Sequence, residues 1–180
     1  MASGRLYGRR IAVLVEEGFS RRQFTTACDA LAADGAEIVV VAPSTTVTYR
    51  DRTASVEVQA HLDAAAARRT SFDAVVIPGG YAPDRLRMRP VILDFVAETA
   101  AAGKPVAAIC HGPQVLISAH VLQGRTVTCW PSIAIDVKNA GARYVDRPFV
   151  VDGPVITARK SDDLAPFLTA LADAIGGTPT

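Results

Sequence analysis

The chain has 180 residues, 49% of them hydrophobic and 21% charged, a balance that fits a folded protein and excludes an intrinsically disordered one. Its 19 Lys and Arg against 18 Asp and Glu leave a net charge of +1, so no global field recruits nucleic acid or an acidic membrane surface, and neither is expected as a partner. At about 150 residues per domain the length fits one domain, whose core buries roughly 70% of the unfolded chain's surface without disulfides or a structural metal.

Residues 1–8, which carry Arg5 but no apolar segment ending in a small-residue cleavage site, read as a loose N-terminal extension without a signal peptide. A single domain is expected over residues 9–176, with 177–180 as a C-terminal tail. Within it Ile11 to Val15, Ile38 to Ala42, Ala74 to Ile77, Val106 to Ile109 and Val155 to Ile156 are apolar at nearly every position. Strands read this way when helices cover both faces of a parallel sheet; a half-exposed antiparallel strand alternates instead.

Helical periods fall between them. Phe24, Ala27, Cys28 and Leu31 mark one ending at Gly35; Val91, Ile92, Phe95, Val96 and Thr99 mark another ending at Gly103. A third runs from His111 through Val115, Leu116 and Ala119 toward Gly124, and a fourth holds Leu164, Phe167, Leu168, Leu171 and Ile175. Thr45 to Val58, centred on Arg50-Asp51-Arg52, reads as an antiparallel hairpin at one edge. The alternation predicts an α/β fold, a three-layer sandwich on a flavodoxin-like, mostly parallel sheet. In such a sheet ligands bind beyond the carboxyl ends of the strands.

Val106-Ala-Ala-Ile-Cys-His-Gly-Pro-Gln114 is the most informative segment. A buried strand runs into a cysteine and then into a helix, the layout of a nucleophile elbow with Cys110 raised above the sheet. A helix N-terminus and the adjacent His111 are expected to lower the thiol pKa from about 8.5 by one or more units. Backbone N–H groups after the elbow would face an oxyanion, and so would those of Gly79 and Gly80 in Pro78-Gly-Gly-Tyr-Ala-Pro-Asp84, at the tip of a neighbouring strand. Asp84 reads equally as a carboxylate that orients His111 or meets a partner subunit, and as an ordinary helix-start acid.

The other candidates carry less. Trp130, after Cys129, reads as a pocket residue or as packing, while Cys28 belongs to a helix's apolar face. His61 and His120 lack partners at ligand spacing, and Arg21-Arg22 and Arg68-Arg69 read as solvated faces. The three cysteines form no C-x-x-C pair, an odd count that points to a reducing, cytoplasmic compartment; no apolar run approaches the ~18 residues of a membrane helix. Neither G-x-G-x-x-G nor a P-loop occurs, so no cofactor or metal is expected.

Ile11-Ala-Val-Leu-Val, Pro78 to Asp84, Gly103-Lys-Pro-Val, Ala-Ile-Cys-His-Gly-Pro-Gln114 and Asp136-Val-Lys-Asn-Ala-Gly141 together resemble the PfpI-type branch of the DJ/PfpI superfamily, over about residues 9 to 175. The resemblance implies a flavodoxin-like core of the class I glutamine amidotransferase-like type and a homodimer or hexamer. It also implies a cofactor-free cysteine enzyme acting on a carbonyl group: peptide hydrolysis, or detoxification of methylglyoxal or glycated adducts. On it Cys110 is the nucleophile, His111 its adjacent base, and Asp84 a third member supplied across a subunit boundary. The family usually reads Phe-Glu-Asp-x-Glu after the first strand, its second Glu touching the sulfur; here the stretch is Phe19-Ser-Arg-Arg-Gln23. Gln23 can donate a hydrogen bond to a thiolate but cannot carry a proton, and Glu16 or Glu17 would have to substitute for the missing acid. A thiol redox sensor or holdase-like stress protein is the alternative if that loss abolishes turnover.

Overall fold

A computed structural model describes residues 4–176. In chain order its elements are β1 (Arg10–Leu14), α1 (Arg21–Ala33), β2 (Glu37–Ala42), β3 (Thr48–Arg50), β4 (Glu57–Gln59), β5 (Leu62–Asp63), α2 (Ala64–Arg68), β6 (Ala74–Ile77) and α3 (Ala82–Leu86). There follow α4 (Pro90–Ala101), β7 (Val106–Ile109), α5 (Pro113–Ser118), β8 (Thr126–Val127), α6 (Ala134–Asn139), β9 (Arg143–Tyr144), β10 (Phe149–Asp152), β11 (Val155–Ala158) and α7 (Leu164–Gly176).

Seven strands form one sheet in the order β10-β11-β7-β6-β1-β2-β5, parallel throughout except for the antiparallel β10 edge. Helices α1 and α7 pack together on one face, and α2, α4 and α5 cover the other. That is why β6, β7 and β11 are buried at every residue and read as unbroken apolar runs. The chain leaves β1 for β2 on one side and later returns as β6 on the other side of β1. The strand order therefore reverses between β1 and β6, and a crevice opens there beyond the strand tips. The flavodoxin-like three-layer fold is as the sequence predicts.

The differences have local causes. Gly4 to Gly8 are not loose: Leu6 is 0% exposed and its N–H donates to the Asp34 carbonyl, while Arg5 pairs with Asp34 and Asp173. One buried leucine and two ion pairs tie this stretch across α1 and α7. Residues 1–3 and the 177–180 tail lie outside the described residues. The helix expected from His111 toward Gly124 is only Pro113–Ser118, because Pro113 sits in its first turn and His120 turns out of helical geometry at φ +56°. The predicted hairpin exists as β3 and β4 but forms its own two-stranded sheet, attached to the core through an Asp51–Phe19 bridge. Among the described residues no helix is long and apolar enough to cross a membrane.

Candidate active site

The tips of β1, β6, β7 and β11 meet at one cleft of about 1190 Å³, whose lining includes Gln23, Arg52, Gly80, Tyr81, Cys110 and Trp130. Cys110 follows β7 directly at φ +63°, in the left-handed region that a non-glycine residue enters at a cost of about 1–2 kcal/mol. Three backbone bonds hold it there. Its N–H donates to the Ala158 carbonyl at 2.9 Å, its carbonyl accepts from Trp130 N–H at 3.0 Å, and Gly112 N–H closes the turn onto the Ile109 carbonyl at 2.8 Å. Gly112 admits no side chain, since a Cβ would stand 2.5 Å from the Ile77 carbonyl oxygen. The elbow places Cys110 Sγ 3.3 Å from His111 Nδ1.

Gln23 comes from the first turn of α1 and is 3% exposed. Gly79 N–H donates to its Oε1 at 2.7 Å, which fixes the amide orientation and leaves Nε2 to donate to Ser161 Oγ at 3.0 Å. The same side chain favours the thiolate of Cys110, and its Oε1 and the Cys110 Cβ both border the space a Gly79 Cβ would take. Gln23 thus stands beside the sulfur, where the family resemblance places its acid. Neither Glu16 nor Glu17 takes over: Glu16 is buried near Arg89, with Glu17 N–H on its Oε1, and Glu17 accepts the Arg50 N–H.

The expectation that the thiol pKa is lowered does not hold. Burial pushes the Cys110 thiol above its ordinary value, outweighing the Gln23 side chain, the backbone N–H groups of His111 and Gly80, and the Arg52 charge, all of which favour the thiolate. Burial, with help from Arg52, pushes His111 below its ordinary value, so it is a neutral base at pH 7. Cys28 and Cys129 are both pushed up to about 12 by burial and carry no thiolate at neutral pH. Alkylation of Cys110 by iodoacetamide should therefore precede that of the other two and climb roughly tenfold per pH unit through neutrality. A rate that levels off near pH 7 would mean a preformed thiolate.

The remaining sequence candidates divide. Gly80 N–H faces the sulfur and is an oxyanion donor candidate, but Gly79 is not one: its N–H is spent on Gln23. Gly79 matters through close approach, because a Cβ there would lie 2.9 Å from Cys110 Cβ. Gly80 sits at φ +88°, and its Cβ would meet the Gly18 carbonyl oxygen at 2.5 Å. Gly80→Ala should cost roughly 2 kcal/mol or more, read as a lower urea midpoint at unchanged slope; an unshifted midpoint would contradict the packing. Trp130 stacks on His111 with ring centres 6.1 Å apart. Asp84 lines the cleft on α3 but makes no hydrogen bond to His111 within the chain, whose Nε2 lies 3.4 Å from Ser132 Oγ instead.

Sequence reasoning missed Ser132, Ser161 and Arg52. No local signal marks them: Ser132 and Ser161 sit in short 3-10 turns and Arg52 in a hairpin turn, and only the fold brings them to His111, Gln23 and the cleft. Among the described residues no group of three or more His, Cys, Asp or Glu side chains is placed to hold a metal ion.

Residues 9–174 match the model of the DJ-1/PfpI family. The chain belongs to that family. It is 40% identical to protein/nucleic acid deglycase 2 of Escherichia coli, over 88% of this chain and 93% of the relative. It is 39% identical to general stress protein 18 of Bacillus subtilis, over 89% and 94% respectively. Among solved structures, a two-domain protein of Anabaena variabilis with DJ-1/ThiJ/PfpI-like and ferritin-like domains superposes at a TM-score of 0.91 with 41% identity, covering 93% of this chain and 48% of that one. Drosophila melanogaster DJ-1beta superposes at 0.87 with 26% identity, covering 94% and 91%. The deglycase name among the relatives supports a hydrolase or deglycase type of activity at the level of the family.

Proposed function

We propose that this DJ-1/PfpI protein is a cysteine-nucleophile enzyme that transfers and hydrolyses acyl groups at Cys110. The observation that carries this reading is the Cys110–His111 pair at 3.3 Å on a strained elbow, with amide Gln23 beside the sulfur. Glyoxalase or deglycase chemistry moves a proton between substrate carbons, and Gln23 cannot carry it. Acyl transfer needs no such carrier.

In the proposed reaction the Ser132 hydroxyl takes the His111 Nε2 proton as a hydrogen bond, which turns the Nδ1 lone pair to the thiol. Nδ1 accepts the thiol proton as the sulfur–carbon bond forms, and the carbonyl electrons move onto oxygen. The backbone N–H groups of Gly80 and His111 receive that oxyanion. Collapse expels the leaving group, to which His111 returns the proton, and leaves a thioester on Cys110. Water activated by His111 then releases the acid and restores the thiol, so atoms and charge balance without a cofactor.

A redox-sensor role has less support, since oxidation proceeds through the thiolate and burial disfavours it at Cys110. The test is a panel of a thioester, a small peptide, methylglyoxal and a methylglyoxal-treated thiol, each with wild type and Cys110→Ser. Turnover of the thioester or peptide by wild type alone supports the reading. Wild type no faster than the variant on every substrate, with prompt oxygen uptake at Cys110 in mild peroxide, would replace it with the sensor.

A further inference from the structure

The mouth of the cleft carries more positive charge than the reaction uses. Four cations line it, Arg22, Arg52, Arg85 and Lys160, against the two acids Asp84 and Asp162. Asp162 is engaged by Arg22 at 3.0 Å. Arg52, Arg85 and Lys160 form no salt bridge among the described residues, while the whole chain sums to only +1. Four cations against two acids leave the mouth of the cleft a local excess of two positive charges, more than the +1 of the whole chain.

Arg52 is the best placed of the three. It stands just after β3, where its N–H donates to the Phe19 carbonyl at 3.1 Å, and Phe19 is itself fully buried. Its guanidinium lies over the Tyr81 ring at 4.6 Å and donates to the Tyr81 hydroxyl at 3.4 Å. Stacking of this kind orients a guanidinium while leaving most of its donors free. A planar fork with unspent donors beside a nucleophile suits a carboxylate or phosphate, which it can grip through two parallel bonds. The Arg52 charge reaches the reacting pair, for it acts on both Cys110 and His111.

We propose that the cleft selects acyl compounds bearing an anionic oxygen group, carboxylate or phosphate, and that Arg52 binds this group, with Lys160 and Arg85 adding to the local field. The chemistry at the carbonyl rests on the acyl-transfer reading above; the anion site does not. Arg52 is a specificity-determining residue, and discrimination between charged and neutral substrates is its readout.

Two S-acetyl thioesters, of N-acetylcysteine and of its amide, differ only in one carboxylate and separate charge from reactivity. Wild type should prefer the carboxylate. Arg52→Ala should lower the charged-to-neutral ratio of kcat/KM about tenfold, mainly through KM, and Arg52→Lys should restore only part of it, since the charge is kept but the stacked planar fork is lost. Separately, Cys110→Ser, which performs no chemistry, is titrated with malonate and with inorganic phosphate while the fluorescence of Trp130 is followed, this being the sole tryptophan and a lining residue. A saturable change, weakened by adding Arg52→Ala, is expected. The tighter of the two ions assigns the group as carboxylate or phosphate.

Anion binding without thioester turnover would keep the anion site and reject the acyl-transfer reading. Turnover with equal ratios in all three forms, and no fluorescence response to either ion, would reject the anion site and keep the reaction.

Discussion

Cys110→Ser is expected to remove thioester and peptide turnover by a factor of about 1000 or more while leaving the fold intact. The hydroxyl is nearly isosteric with the thiol, and the backbone bonds to Ala158, Trp130 and Ile109 that hold the elbow do not involve the side chain. What is lost is nucleophilicity. A serine hydroxyl needs a base aligned to remove its proton throughout attack, whereas a thiol gives up its own far more readily. Unchanged circular dichroism and urea midpoint with lost turnover would fit; retained turnover would place the chemistry elsewhere.

His111→Ala is the second large effect, a fall of about 100- to 10,000-fold in kcat, the range a positioned general base contributes. The thiol here is not a preformed thiolate, because burial pushes its pKa up. Proton removal must therefore accompany attack, and the neutral imidazole 3.3 Å away is the acceptor. The sign of the pH dependence follows. His111 has its pKa depressed, so it is unprotonated through the neutral range, and wild-type rates should be level there and fall only at lower pH as the imidazole takes up a proton. In His111→Ala, raising pH should recover part of the loss, since hydroxide can generate the thiolate directly. A variant equally slow at every pH would assign His111 to packing against Trp130.

The central strands were legible because β1, β6, β7 and β11 are covered on both faces, so nearly every residue in them is apolar. The edge strand β10 was not. Only one side of it pairs, its residues Phe149 to Asp152 are partly exposed, and an antiparallel return from β11 leaves no apolar run to find. The elbow at Cys110 could be read because a strand, a nucleophile and a glycine are contiguous there. Gln23 was legible only against the family pattern, since nothing local shows that α1 carries its first turn to the tip of β7. The sequence reading of the thiol failed for a different reason. A helix start and a neighbouring histidine are visible along the chain, whereas the desolvation that outweighs them is assembled from β6, α1 and the Trp130 loop. Arg52 was read as part of a polar hairpin turn, and only the hairpin's attachment through Phe19 brings it to the cleft. Asp84 lines the cleft without touching His111, and we propose that a second copy of the chain is needed to bring such an acid to the base.

The covalent intermediate is the most direct measure of the account. Wild-type protein mixed with an excess of a reactive acetyl ester and quenched in acid within the first turnover should carry one acetyl group, located by peptide mass mapping on the segment containing Cys110. Cys110→Ser should carry none, and His111→Ala should accumulate it more slowly. Acetyl groups found only on lysines, or at equal level in wild type and Cys110→Ser, would contradict a nucleophilic Cys110.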